Sequence, residues 1–104
     1  MDIIIKKNID LTPALETYLQ KKFASLEKFV AAFDRTGSAE LAVEIERTTK
    51  HHRKGPVYSA TAKLLLPKIV LRAEETADDI RVAIDAAKDT LREEIEKYKD
   101  KMRG

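Results

Sequence analysis

The spacing of apolar residues along the chain predicts four β-strands. Residues 3–5 are a β-branched run, which is typical of a short strand. In residues 40–46 apolar side chains alternate with polar or small ones, the pattern of a strand with one buried face. Residues 57–66 continue as a long strand that Pro67 breaks, and residues 69–74 predict its antiparallel neighbour.

A helical spacing follows the first strand. Thr12 is the predicted N-cap and Pro13 the first helical residue, because the hydroxyl accepts a backbone hydrogen bond and proline needs no donor there. This helix is predicted to end before the turn that contains Gly37. Its apolar positions recur every three or four residues: Leu15, Leu19, Phe23, Leu26, Val30 and Phe33.

A second, longer helix is predicted after the fourth strand. Thr76 is its candidate N-cap, and Asp78 and Asp79 are expected in the first turn, where the helix dipole favours negative charge. Its apolar positions are Ile80, Ile84, Ala87, Leu91, Ile95, Tyr98 and Met102. The order β-α-β-β-β-α predicts one α+β domain over residues 1–104, with two helices on one face of a four-stranded sheet.

Composition restricts the classes of function. The chain has 104 residues and no cysteine, so a disulfide framework and thiolate metal sites are excluded and a reducing cytoplasm is suitable. The N-terminal sequence MDIIIKKNID does not resemble a signal peptide, and no apolar run approaches the ~18 residues of a membrane span. Charged residues make up 37% of the chain, yet the net charge is only +2. A polyanionic partner would therefore require the positive charges to be segregated on one surface.

The longer helix sorts its charges into stripes. At ~100° per residue, Lys88, Arg92 and Lys99 fall within about 20° of Arg81, beside the apolar stripe. The anionic residues occupy the next stripe, so these cations could simply form exposed ion pairs such as Arg92 with Glu96, or they could contact a phosphate backbone. On the first helix, Lys21 and Lys28 share a weaker stripe that Lys22 and Tyr18 border, and the two stripes could line a common groove.

The most basic run lies between the second and third predicted strands. It consists of Lys50, His51, His52, Arg53 and Lys54. A metal site, a solvated loop and a phosphate contact are the three alternatives, and adjacent histidines without a third ligand nearby disfavour the metal. No cofactor is expected. The sequence also has no glycine-rich phosphate loop and no G-x-S-x-G nucleophile motif, so an enzyme is not predicted.

Three segments together resemble the ribosome hibernation promoting factor family, which includes the ribosome-associated inhibitor A proteins and is also labelled ribosomal subunit interface protein. They are LTPALETYLQKKFASLEKF, ERTTKHHRKGPVYSATAKLLLP, and LRAEETADDIRVAID followed by EKYKDK. The resemblance covers essentially the whole chain. It implies a fold similar to double-stranded-RNA-binding domains and a cytoplasmic protein that binds the small ribosomal subunit. There it would occupy the mRNA and tRNA channel near the decoding centre and silence idle ribosomes under stress or in stationary phase.

The same resemblance implies a set of rRNA contacts. Lys22, Lys28 and Lys97 carry over by motif, whereas Arg81, Lys88, Arg92 and Lys99 come from the helical wheel. The full candidate set is Lys21, Lys22, Lys28, Lys50, His51, His52, Arg53, Lys54, Arg81, Lys88, Arg92, Lys97 and Lys99.

The chain departs from the family at four positions. Ser25, Thr90 and Glu93 replace residues that are often basic, and Arg81 replaces a frequent aromatic. The long-form dimerisation domain and the acidic tail of the inhibitor A type are not in the sequence, so it resembles the short form, expected to be monomeric off the ribosome. Two alternatives are a protein-interaction module, with weak salt dependence, and a free double-stranded-RNA binder, which would bind naked duplex.

Overall fold

A computed structural model describes residues 1–34, 36–48 and 57–103. The predicted order β-α-β-β-β-α is confirmed, except that a second short helical segment follows the first helix. The elements are β1 (Asp2–Lys7), α1 (Pro13–Ala24), α2 (Glu27–Val30), β2 (Glu40–Thr48), β3 (Val57–Leu65), β4 (Val70–Ala77) and α3 (Ile80–Arg103). No helix of these described ranges is both long and apolar enough to cross a membrane.

The four strands form one sheet in the order β1-β2-β3-β4. β1 runs parallel to β2, and the other two pairs are antiparallel. Lys7 pairs with Ile45 and Tyr58 pairs with Ala77, so β1, β2 and β4 end, and β3 begins, at one edge of the sheet, here called the hairpin end. Because α1 follows β1 and α3 follows β4, both long helices start at the hairpin end.

The helices cover one face of the sheet, as predicted. α1 contacts β1, whereas α3 contacts β3 and β4. Alternate strand residues point into this layer, and each large apolar side chain buried there stabilises the fold by about 1.5–3 kcal/mol. The largest fully buried side chains are Phe23, Leu19, Leu26, Leu41, Ile45, Leu64, Ile84, Leu91, Ile95, Val30 and Val43. The opposite face is solvated, with Glu44 and Glu46 exposed as expected for its wet side.

The first helix starts as predicted but does not run unbroken to Phe33. The Thr12 hydroxyl accepts a hydrogen bond from the Leu15 amide at 3.1 Å, and Pro13 is the first helical residue. α1 then ends at Ala24, because the Leu26 amide bonds to the Phe23 carbonyl, three residues back, and tightens the turn. The Ser25 hydroxyl reinforces this break by donating to the Lys22 carbonyl at 2.6 Å.

The predicted start of the last helix is wrong by one turn. Thr76 lies in β4, where it pairs with Ser59, because the length of β3 extends the sheet to Ala77. The N-cap is Asp79, whose carboxylate accepts a hydrogen bond from the Arg81 amide at 2.8 Å. The two aspartates therefore precede the helix, and no acidic residue lies in its first turn.

Candidate nucleic-acid interface

The groove between α1 and α3 is held together by a cluster around Tyr18. The Tyr18 hydroxyl, on α1, donates a hydrogen bond to the Asp85 carboxylate, on α3, at 2.6 Å. Lys22 Nζ lies 3.5 Å from the same carboxylate oxygen and 5.5 Å from the centre of the Tyr18 ring. The guanidinium of Arg81 lies 5.0 Å from that ring centre. Cations from two helices thus flank one aromatic ring.

Asp85 favours the cationic form of Lys22 and the neutral form of Tyr18. Its negative charge raises the pKa of Lys22 above the ordinary value, so Lys22 is cationic at neutral pH. Its hydrogen bond with the Tyr18 hydroxyl raises the pKa of Tyr18, so this side chain stays a neutral donor.

A second cluster lies around Phe29, on α2. Lys28 Nζ is 5.2 Å and the Arg92 guanidinium 4.8 Å from the centre of the Phe29 ring. Arg92 follows Arg81 by three helical turns, so the two clusters are about 16 Å apart along α3. Each cluster again combines one cation from the first helical region with one from α3.

Lys88 lies between these clusters on α3. Its side chain is only 18% exposed, and its Nζ is 3.5 Å from the Asp89 carboxylate. We call the surface formed by five cations the basic groove; they are Lys22, Lys28, Arg81, Lys88 and Arg92. Lys99 continues the same stripe two turns beyond Arg92 and is half-buried.

Three of the groove cations have a weak carboxylate competitor or none within the described residues: Arg92, Arg81 and Lys28. The predicted pair of Arg92 with Glu96 is confirmed at 3.2 Å, but about half of each side chain is exposed, and such pairs contribute about 0–1 kcal/mol. Arg81 and Lys28 form no ion pair within 4.0 Å with any carboxylate in the described part of the chain. An incoming phosphate could therefore replace Glu96 at Arg92 at little cost, and could reach Arg81 and Lys28 without displacing a described carboxylate.

Two candidate cations lie away from the groove. Lys21 lines a recess with Lys7 and Glu16, on the β1 side of α1. Lys97 is 72% exposed, pairs with Glu94 at 3.3 Å and lines a recess against β4. The remaining candidates, Lys50, His51, His52, Arg53 and Lys54, lie outside the described residues. Among residues that are described, no three histidine, aspartate or glutamate side chains are grouped to hold a metal ion.

Sequence reasoning misses three residues that organise the groove: Tyr18, Asp85 and Phe29. Tyr18 appeared only as a neighbour of the lysine stripe, and Asp85 only as one of many anionic residues. Phe29 lies outside the apolar spacing of the predicted helix, and its signal in the sequence is an aromatic residue one position before Val30. Half-buried aromatics beside cations are a recognisable feature of such sites.

Known proteins similar in sequence or in fold come from several bacteria. The chain is 29% identical over 96 residues to the ribosome hibernation promoting factor of Klebsiella oxytoca, covering 92% of this chain and 90% of that protein. A ribosomal subunit interface protein from Coxiella burnetii has the same fold, with a TM-score of 0.76, 20% identity and coverage of 96% and 99% of the two chains. The N-terminal domain of Thermus thermophilus Protein Y matches with a TM-score of 0.63 and 27% identity, over 94% of this chain and 99% of that domain.

The family match spans nearly the whole chain. Residues 3–103 match the family described as Sigma 54 modulation protein / S30EA ribosomal protein. All seven described strands and helices fall within or overlap this range. The protein therefore belongs to the Sigma 54 modulation protein / S30EA ribosomal protein family, that of the ribosome hibernation promoting factors.

Proposed function

We propose that this protein is a ribosome hibernation factor that binds the small ribosomal subunit in the cytoplasm through its basic groove. It occupies the channel used by mRNA and tRNA near the decoding centre and thereby inhibits translation under stress or in stationary phase. Ribosome hibernation factors of this family are not enzymes, so the groove acts as a binding surface. The protein needs no cofactor, and off the ribosome it is a monomer.

One observation carries this proposal: cations from the α1–α2 region and from α3 converge on two aromatic rings in a single groove. Lys22 and Arg81 meet at Tyr18, and Lys28 and Arg92 meet at Phe29. A nearly neutral protein can bind a polyanion only if its positive charge is concentrated in this way. The names of the relatives support the ribosome as the source of that polyanion.

The geometry favours recognition of RNA shape over RNA sequence. From Arg81 to Arg92 the cations follow one side of α3 for about 16 Å, which suits a row of phosphates. A-form RNA is recognised mostly through its backbone and 2′-hydroxyls, because side chains cannot read its deep major groove. The aromatic rings orient the cations before binding, so less side-chain entropy is lost when a phosphate arrives.

The basic run Lys50–Lys54 is assigned to the same interaction. β2 ends at Thr48 and β3 begins at Val57, at the hairpin end where α1 and α3 also start. The Tyr18 cluster lies near this end, since Arg81 is the second residue of α3. We therefore expect Lys50–Lys54 to add phosphate contacts to those of the groove.

Co-sedimentation with purified small subunits tests this proposal. The double variant Arg81→Gln/Arg92→Gln removes one cation from each cluster without introducing new negative charge. The matched control, Lys21→Gln/Lys97→Gln, removes the same charge from the outer flanks. The groove variant should lose most binding to small subunits, while the control variant keeps it. Neither protein should bind purified large subunits or naked duplex RNA as well as the control binds small subunits. Equal retention of both variants on small subunits would exclude the groove as the binding surface.

A further inference from the structure

A second polar recess lies at the hairpin end, separate from the basic groove. It has a volume of about 650 Å³, within the range of ~300–1,000 Å³ common for small-ligand sites. Its lining is mostly polar and comes from the end of β1, the loop before α1, and the facing ends of β2 and β3. The lining residues are Lys7, Asn8, Ile9, Asp10, Arg47 and Tyr58.

Strand alternation explains why a tyrosine and two cations meet there. Arg47 continues the inward-facing series of Val43 and Ile45, and it pairs directly across the sheet with Tyr58. Lys7 has the same inward orientation in β1, opposite Ile45. At the hairpin end, the inward face of the sheet thus changes from apolar to cationic and aromatic. This part of the face extends beyond the first residues of the helices.

The side chains of Arg47 and Tyr58 are not used by the rest of the described fold. Neither forms a side-chain hydrogen bond or an ion pair within 4.0 Å with a residue in the described ranges. Tyr58 is half-buried and packs against the core while also lining the recess. The Asn8 side chain accepts a hydrogen bond from the Arg47 amide at 2.9 Å, which fixes the backbone that carries this arginine.

We infer that this recess binds one unpaired nucleotide of single-stranded RNA. The base stacks on Tyr58, because an aromatic ring accepts the face of any base, and the adjoining phosphate contacts Arg47 and Lys7. Lys7 is free to do so at little cost, since its present partner is the exposed carboxylate of Glu16. The inference rests on the proposed function only in taking the ribosome as the place where such RNA is met.

The site differs from the basic groove in the RNA it accepts. In the groove, the Tyr18 and Phe29 rings contact the protein's own cations. The row of cations therefore suits the phosphate backbone of RNA. The recess offers one ring and two cations at a single point, which suits a splayed-out base with its phosphate. The source of that nucleotide is either mRNA or an unpaired stretch of rRNA.

Binding of hexauridylate to the free protein tests the inference without any ribosome. Backbone amide spectra of ¹⁵N-labelled Arg81→Gln/Arg92→Gln protein, in which groove binding is weakened, should show shifts centred on Arg47 and Tyr58. Tyr58→Leu should then weaken the binding of hexauridylate at least about fivefold, which corresponds to the lower end of the free energy of one base–aromatic stack. Arg47→Gln should also weaken it, and the control Arg72→Gln, a cation on the opposite face of the sheet, should not.

The outcomes separate this inference from the proposed function. In the Arg81→Gln/Arg92→Gln background, hexauridylate affinity that neither Tyr58→Leu nor Arg47→Gln lowers, or no binding at all, would overturn the recess while leaving subunit binding by the groove untouched. Since Tyr58→Leu removes a core contact, Arg47→Gln provides the test if the leucine variant does not fold. Weakened subunit binding by Arg47→Gln identifies rRNA as the source of the nucleotide; unchanged subunit binding with weakened hexauridylate binding identifies mRNA.

Discussion

The salt dependence of subunit binding should report how many groove cations contact phosphates. Each neutralised phosphate contributes about −0.7 to −0.9 to the slope of log affinity against log salt concentration. The five groove cations therefore contribute about −4 to the slope, to which any contacts of Lys50–Lys54 add, and Arg81→Gln/Arg92→Gln should make the slope shallower by about 1.6. Between 50 and 200 mM salt, affinity should then fall about ninefold more for the wild type than for the variant.

Fluorescence anisotropy of labelled protein, titrated with small subunits at four salt concentrations, measures these slopes. The control Lys21→Gln/Lys97→Gln has the same net charge as the groove variant, so a general charge effect would change both slopes equally. The account expects the control to keep the wild-type slope. A control slope reduced as much as that of the groove variant would show that the position of the cations does not matter, and the reasoning from their convergence would fail.

Three further predictions concern the fold and the chemistry of the groove. Leu91→Ala should lower the free energy of unfolding by about 2–5 kcal/mol in urea titrations, because Leu91 is fully buried beneath the groove. The control Met102→Ala should change this free energy by less than about 0.5 kcal/mol, because the Met102 side chain on the same helix is 60% exposed. Asp85→Ala should lower the pKa of Tyr18 toward its ordinary value, measured as phenolate absorbance against the other two tyrosines. Because this pKa is raised in the fold, the contribution of the Tyr18–Asp85 hydrogen bond to stability is present below about pH 10 and is lost as the pH rises through the folded-state pKa. An unchanged pKa in the variant would show that the hydrogen bond is not formed. Gly37→Ala should cost about 1 kcal/mol, since Gly37 has a φ of 68°, and thermal unfolding at an unchanged midpoint would contradict this assignment of the turn.

Local signals predicted the elements of this fold well where no distant contact overrides them. Thr12 and Pro13 mark the start of α1 because capping depends only on the adjacent backbone. At the other long helix the same logic chose Thr76, but pairing with Ser59 keeps that residue in β4, and Asp79 caps instead. The break near Ser25 was invisible for a different reason: its backbone stays in the right-handed helical region, so the apolar spacing hardly changes.

The candidate site was predictable only within one helix at a time. The wheel placed Arg81, Lys88 and Arg92 on one stripe, which the structure confirms. The wheel could not show that Lys22 faces this stripe through Asp85, because helix docking depends on packing between distant residues. The same helical wheel does show that Lys97 lies off this stripe, since it falls about 160° from Arg81.

The most direct test of the account is a cryo-electron microscopy structure of this protein bound to the small ribosomal subunit. The account predicts that α1 and α3 face rRNA in the mRNA and tRNA channel, with the Arg81 and Arg92 guanidinium groups within about 3 Å of phosphate oxygens. A bound protein whose helices face solvent, with the nearest phosphates more than about 10 Å from both arginines, would contradict it.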